Sequence, residues 1–238
     1  LGRTLLGSVF GNAYYANLAE DVHSGESVDF TALAAENPQI KAWVTLSDTA
    51  IDLPIVQASD NSYYLNRRFD DRKNKLGTPF MDAANIGDFS DRHTVIYGHA
   101  VKSGAMFGSF WEYENPNYFK RHPELSLYLP DGSQYTLSVF ACSRVDAVRS
   151  AVPVSFSSEN AFLAYIDELH ELSAFTSNVA ITADDHIVSF CVCLPNDEEQ
   201  LLLVSCKMAA PGAATALSDG TSITIGDANT QAGEESGN

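Results

Sequence analysis

At 238 residues, 45% hydrophobic and 19% charged, the chain is long and apolar enough to fold around a core without staples, so its four cysteines need not be structural. A formal net charge of −17, with the acids spread along the chain, argues against a nucleic-acid footprint and against electrostatic docking on anionic lipid. No run approaches the roughly 20 apolar residues of a membrane-crossing helix, and residues 1–27 read as a lead-in behind a removed membrane anchor.

In chain order, residues 28–44 carry helical spacing at Phe30, Leu33 and Ala34, with Asn37-Pro38 as the stop. Ile51–Val56 reads as an edge strand, because Pro54 has no N–H to give a second neighbour. Residues 60–70 suggest a helical turn rich in aromatics. Gly77–Met81 and His93–Tyr97 are short strands separated by a polar loop. Leu125–Leu129 and Tyr135–Phe140 flank Pro130-Asp131-Gly132, a hairpin signal. Residues 158–172 form the clearest helix, capped by Ser157 or Ser158, with Phe162, Ile166 and Leu169 as one apolar stripe. Two strands follow, Ile187–Cys193 and Leu201–Cys206. The stretch 209–238 has acids and small residues but no Lys or Arg, and is expected to be a disordered tail. One domain over 28–208, built from many short strands, points to a mostly-β barrel.

Two residues carry chemistry. His99 follows Tyr97-Gly98 at the end of an apolar strand, where a glycine lets the chain turn and leaves an imidazole at the strand mouth. Cys193 ends the run Ile187-Val-Ser-Phe-Cys-Val-Cys193, and strand alternation puts it on one face with Cys191. The bland alternatives are a surface histidine and a pair of small buried hydrophobes. Cys191-x-Cys193 has neither the redox spacing nor a second half for zinc, so no metal site is expected.

Other stretches matter through their shared order. They are Glu36-Asn-Pro-Gln-Ile-Lys-Ala-Trp43, Ile51-Asp-Leu-Pro-Ile-Val-Gln57, Asp60-Asn-Ser-Tyr-Tyr-Leu-Asn66 and Gly77-Thr-Pro-Phe-Met-Asp82. Thr94-Val-Ile-Tyr-Gly-His99, Gly104-Ala-Met-Phe-Gly108, Phe119-Lys-Arg-His-Pro123 and Leu127-Tyr-Leu-Pro-Asp-Gly132 complete the set. In these the chain resembles the class B sortases from about Phe30 to Met208, most closely over Phe30 to Ser143. The resemblance implies an eight-stranded β-barrel with N-terminal helices and a long helix, here 158–172, before the strand that carries the nucleophile. It also implies a cysteine transpeptidase on the extracellular face of a Gram-positive membrane, held by an N-terminal anchor. Such an enzyme cuts a C-terminal sorting motif on a secreted protein and joins the acyl group to an amine of the cell wall or a pilin-like protein. It needs no metal or organic cofactor. His99 matches the family's catalytic His, and Cys193 its catalytic Cys.

The chain departs from that pattern near the cysteine. The family reads Leu-Ser-Thr-Cys where Phe190-Cys191-Val192-Cys193 stands, and Asn is common where Ala100 follows His99. An Arg is expected on the next strand, but that window reads Leu201-Leu-Leu203. Losing a main oxyanion donor typically costs about 10²–10³ in turnover. Arg144, Arg149 and Lys207 are the cations left as oxyanion or substrate support, Lys207 lacking the planar fork of Arg. Two alternatives stay open: a weak or inactive sortase-fold protein that binds peptides, and a cysteine peptidase releasing the acyl group to water. Cys191 and Cys206, on neighbouring strands, are either a disulfide or two buried thiols.

Overall fold

The computed structural model describes residues 13–25, 27–146, 152–194 and 197–209. Residues 1–12 of the expected lead-in, Arg149 and nearly all of the expected tail lie outside the described residues. Residues 13–22, left without an element by the sequence reading, form helix α1. Its Tyr15, Leu18, Ala19 and Val22 belong to the main core. Strands β1 (His23–Ser24) and β2 (Ser27–Val28) make a small hairpin before helix α2 (Phe30–Glu36). Asp29 caps α2 by accepting from the Ala32 N–H, and Asn37 ends it.

The chain then enters the barrel through β3 (Ile40–Thr45), a strand absent from the sequence expectation. Ala42, Trp43 and Val44 are all fully buried, so β3 shows no alternation, the usual mark of a half-buried strand. β4 (Asp52–Val56) pairs with β3 along its length. The expectation of an edge strand is corrected: β4 also meets β5 (Phe80–Met81), in parallel, at Val56↔Phe80. Because that second contact is a single residue pair, Pro54 faces no neighbour on that side that needs its N–H.

β6 (His93–Tyr97), β7 (Glu124–Tyr128), β8 (Gln134–Asp146), β9 (His186–Leu194) and β10 (Asp197–Met208) complete the wall. Their order closes as β10-β8-β7-β3-β4-β5-β6-β9, an eight-stranded barrel. Gly132, at φ 85°, makes the β7–β8 turn, and Leu125–Leu127 pair across it with Tyr135–Leu137. Helix α3 (Pro116–Arg121) begins with Pro116 in its first turn and has Lys120 and Arg121 in its last.

Two apolar layers hold the barrel. Alternate residues of β9, namely Val188, Phe190 and Val192, belong to the interior core. Ile187 and Cys191 belong to a second cluster, with Val95, Leu203 and the stripe Phe162, Ile166 and Leu169 of helix α4 (Glu159–Glu171). Ser158 caps α4 as the sequence suggests, accepting from the Ala161 N–H. A 3₁₀ segment, Gly108–Glu114, stacks Phe110 on Phe190 with ring centroids 4.9 Å apart. The disulfide reading of Cys191 and Cys206 is set aside here. Cys206 faces the interior and Cys191 the outer layer, so the two thiols lie on opposite sides of the sheet.

Candidate active site

β6 and β9 run parallel, with His93 opposite Ile187 and Tyr97 opposite Cys191. The ladder continues one step, where the Gly98 N–H donates to the Cys191 carbonyl at 3.3 Å. Two residues beyond the last pair come His99 on one strand and Cys193 on the other. Neighbouring strands lie about 5 Å apart, so the register brings the segments that carry the two residues to the same end of the barrel. Alternation from Cys191, in the outer layer, puts Cys193, still within β9, on the outer side of the wall. Cys193 is exposed, whereas Cys142, Cys191 and Cys206 are buried.

The backbone fixes His99 from several directions. A Cβ on Gly98 would come within 2.4 Å of the buried Phe107 ring, so only glycine lets that ring seat beneath the histidine. The Phe107 N–H donates to the His99 carbonyl at 2.9 Å, and Ala100 bridges Met106 to close a small hairpin. The imidazole Nε2 lies 2.7 Å from the Leu65 carbonyl. A carbonyl only accepts, so Nε2 carries a proton and Nδ1 is the nitrogen left for other work. Leu65 belongs to the 3₁₀ turn Tyr63–Asn66, the aromatic-rich turn expected from the sequence.

Cys193 is held differently. Its carbonyl points where β6 would have continued, and the Trp111 indole N–H donates to it at 3.1 Å. Across the sheet its partner on β10 is Leu201, the first residue of the Leu201–Leu203 window in which the resemblance implies an Arg. Burial pushes the Cys191 thiol far up from the ordinary range, leaving it a filler under α4.

The supporting cations fall in different places. Arg144 on β8 lies opposite Leu202, which lies opposite Val192, so it is level with the Cys193 end but two strands away. Its guanidinium makes a bidentate pair with Glu114, Nε to Oε1 at 2.5 Å and NH2 to Oε2 at 2.9 Å. Lys207 pairs with Ile187 near the far end of β9, about 20 Å along the strand from Cys193. Its Nζ is taken by Asp185 and by the Ala180 carbonyl, each at 2.9 Å, so the structure does not bring it to the rim. The sequence reading missed Leu65 and Trp111. A backbone carbonyl leaves no side-chain signature, and Trp111 sits among core aromatics in Gly108-Ser-Phe-Trp-Glu-Tyr113. Among the described residues no group of three His, Cys, Asp or Glu could hold a metal, and no helix is long and apolar enough to cross a membrane.

No family model matches the chain. It is 32% identical over 157 residues to the sortase B of Listeria monocytogenes, a match covering 66% of this chain and 63% of that protein. The chain thus spans somewhat under two thirds of that curated relative. Among solved structures, a Bacillus anthracis sortase B in complex with AAEK2 is 31% identical with a TM-score of 0.72, over 82% of this chain and 93% of that one. A Staphylococcus aureus sortase B–substrate complex matches at 23% identity and TM-score 0.73, over 83% and 92%, which bears on the fold alone.

Proposed function

The chain belongs to the class B sortases, and on that premise we propose that it is a cysteine transpeptidase with Cys193 as nucleophile and His99 as acid–base partner. The observation that supports this is the parallel register of β6 and β9, which brings the segments carrying both residues to one end of the barrel.

In this reading the Cys193 thiolate attacks the scissile carbonyl of a sorting motif on a secreted protein. A cysteine is only a few per cent thiolate at pH 7, and an imidazolium beside it raises that fraction. With Nε2–H on the Leu65 carbonyl, the proton passes through Nδ1 to the departing amine. The acyl group stays on Sγ as a thioester. An incoming amine of the cell wall or a pilin-like protein then attacks it, His99 takes the amine proton, and Sγ leaves as thiolate. Arg144 is the cation best disposed to support the oxyanion, on condition that it exchanges Glu114 for substrate. The work belongs on the extracellular face of a Gram-positive cell, behind an N-terminal anchor.

The test is intact-mass spectrometry of the wild type and Cys193→Ala with a panel of sorting-motif peptides. An acyl adduct on the wild type alone supports the reading; an adduct that survives in Cys193→Ala sinks it. Product analysis with and without an added amine separates transpeptidation from hydrolysis. Leu201 opposite Cys193 favours a second reading, a sortase-fold protein that binds peptides without cutting them. No adduct across the panel, with Cys193 still alkylatable, would select it.

A further inference from the structure

Five of the chain's 14 Lys and Arg residues fall between Arg67 and Lys75, alongside two of its 31 acids. Everywhere else acids dominate, so this stretch is a local reversal of sign. It folds as a tight loop in which Arg67 and Lys73 are antiparallel bridge partners, with the Asn74 N–H donating to the Asn66 carbonyl at 3.0 Å. Partners across a bridge have Cβ atoms about 5 Å apart on one face, and like charges in that position repel. Lys75, in the turn that follows, adds a third cation to the lining of the same cavity. Arg67, Lys73 and Lys75 line one cavity of about 550 Å³, together with Tyr63, Asn66 and Asn74.

The two nearby acids are already in use. Asp70 pairs with Arg68 and, at 3.4 Å, with Arg72, while Asp71 takes Arg67 at 3.2 Å and the Tyr63 hydroxyl at 2.8 Å. Among the described residues no carboxylate pairs with Lys73 or Lys75. The cavity therefore gathers cations whose repulsion a bound anion would relieve. In the chain its lining residues Ser62, Tyr63 and Asn66 flank Leu65, whose carbonyl holds His99. Tyr63 and Leu65 are also large exposed hydrophobics, 36% and 37% accessible, so apolar surface borders the charge. Cations beside an aromatic and an aliphatic side chain suit a peptide of mixed acidic and apolar character better than a bare phosphate.

We infer that this cavity is a subsite for an acidic peptide segment, with Lys73 and Lys75 pairing its carboxylates. The inference rests on the transpeptidase reading for the ligand's identity. His99 serves the amine side of the cut bond, so the segment beside it is the part of the substrate that leaves.

The experiment uses the full chain carrying Cys193→Ala, so that binding is read without turnover. Fluorescence anisotropy compares a labelled peptide of alternating Glu and Leu with its Gln-for-Glu twin. The acidic peptide is expected to bind at least about tenfold tighter and to weaken with salt. Lys73→Glu with Lys75→Glu should bring it to the level of the twin, whereas Lys102→Glu with Lys120→Glu should not. Lys73→Glu turns a like-charge pair into an opposite one, so this variant should melt no lower than its parent. Equal binding of the twin, or unchanged affinity in a folded reversal variant, overturns the inference. So does inorganic polyphosphate binding at this cavity with no acidic-peptide binding. Peptide binding without acyl transfer in the wild type would remove the transpeptidase reading and leave the subsite. Acyl transfer indifferent to peptide charge would do the reverse.

Discussion

His93 opens β6, the strand that ends at His99, and it is fully buried. Its Nδ1 lies 2.6 Å from the Pro153 carbonyl, so Nδ1 carries the proton and Nε2 accepts from the Ser189 hydroxyl at 2.9 Å. Ser205 lies 2.8 Å further on, which joins β6, β9 and β10 through one polar chain. Burial pushes the imidazole from 6.5 down to about 4, only partly opposed by the Pro153 carbonyl. Between those values the unfolded chain binds a proton that the folded chain refuses, so stability falls as pH drops from about 6.5 to about 4. At 1.36 kcal/mol per pH unit the loss is about 3 kcal/mol, a large share of the roughly 5–15 kcal/mol that holds a domain. Carboxylates contribute in a different window. Asp70, hydrogen-bonded by Arg68, titrates below its ordinary 3.8, so its stabilisation is lost only beneath that pH. Urea unfolding of the wild type and His93→Gln at several pH values from 7.5 to 4.5 reads the effect. The wild type should lose most of that amount relative to the variant, whose side chain stays neutral throughout. A constant gap between the two across the range would refute the reasoning.

Two further outcomes follow from the packing. Gly98→Ala drives a methyl into Phe107, an overpacking cost of about 1–3 kcal/mol, and displaces the His99 hairpin. Melting should fall by several degrees and the Cys193-dependent acylation rate by about 10²-fold; a rate unchanged from wild type would mean that this contact does not hold His99 in place. Iodoacetamide on the folded protein should label Cys193 alone, and denaturation should release all four thiols. Cys142, pushed up to about 12 by burial, stays silent with Cys191 and Cys206. A second label without unfolding, or a Cys191–Cys206 crosslink, would contradict their separation across the sheet.

Much of this protein is written in local pattern. The Pro130-Asp131-Gly132 turn, the Ser158 cap and the Phe162, Ile166, Leu169 stripe depend on neighbours within a few residues, so their sequence expectations match the fold. His99 and Cys193 could be singled out because each ends a short apolar strand and because ordered motifs surround them. That their strands are neighbours is a tertiary fact: β6 and β9 are about 90 residues apart, and only their parallel pairing brings these two strand ends to one end of the barrel. β3 escaped because a strand buried on both faces loses the alternation that marks a half-buried one. The separation of Cys191 from Cys206 and the convergence of Arg67 with Lys73 turn on register, which a one-residue slip would invert. The hold on His99 is decided by the structure alone, since its partner is the Leu65 carbonyl, a group every residue has and no sequence singles out.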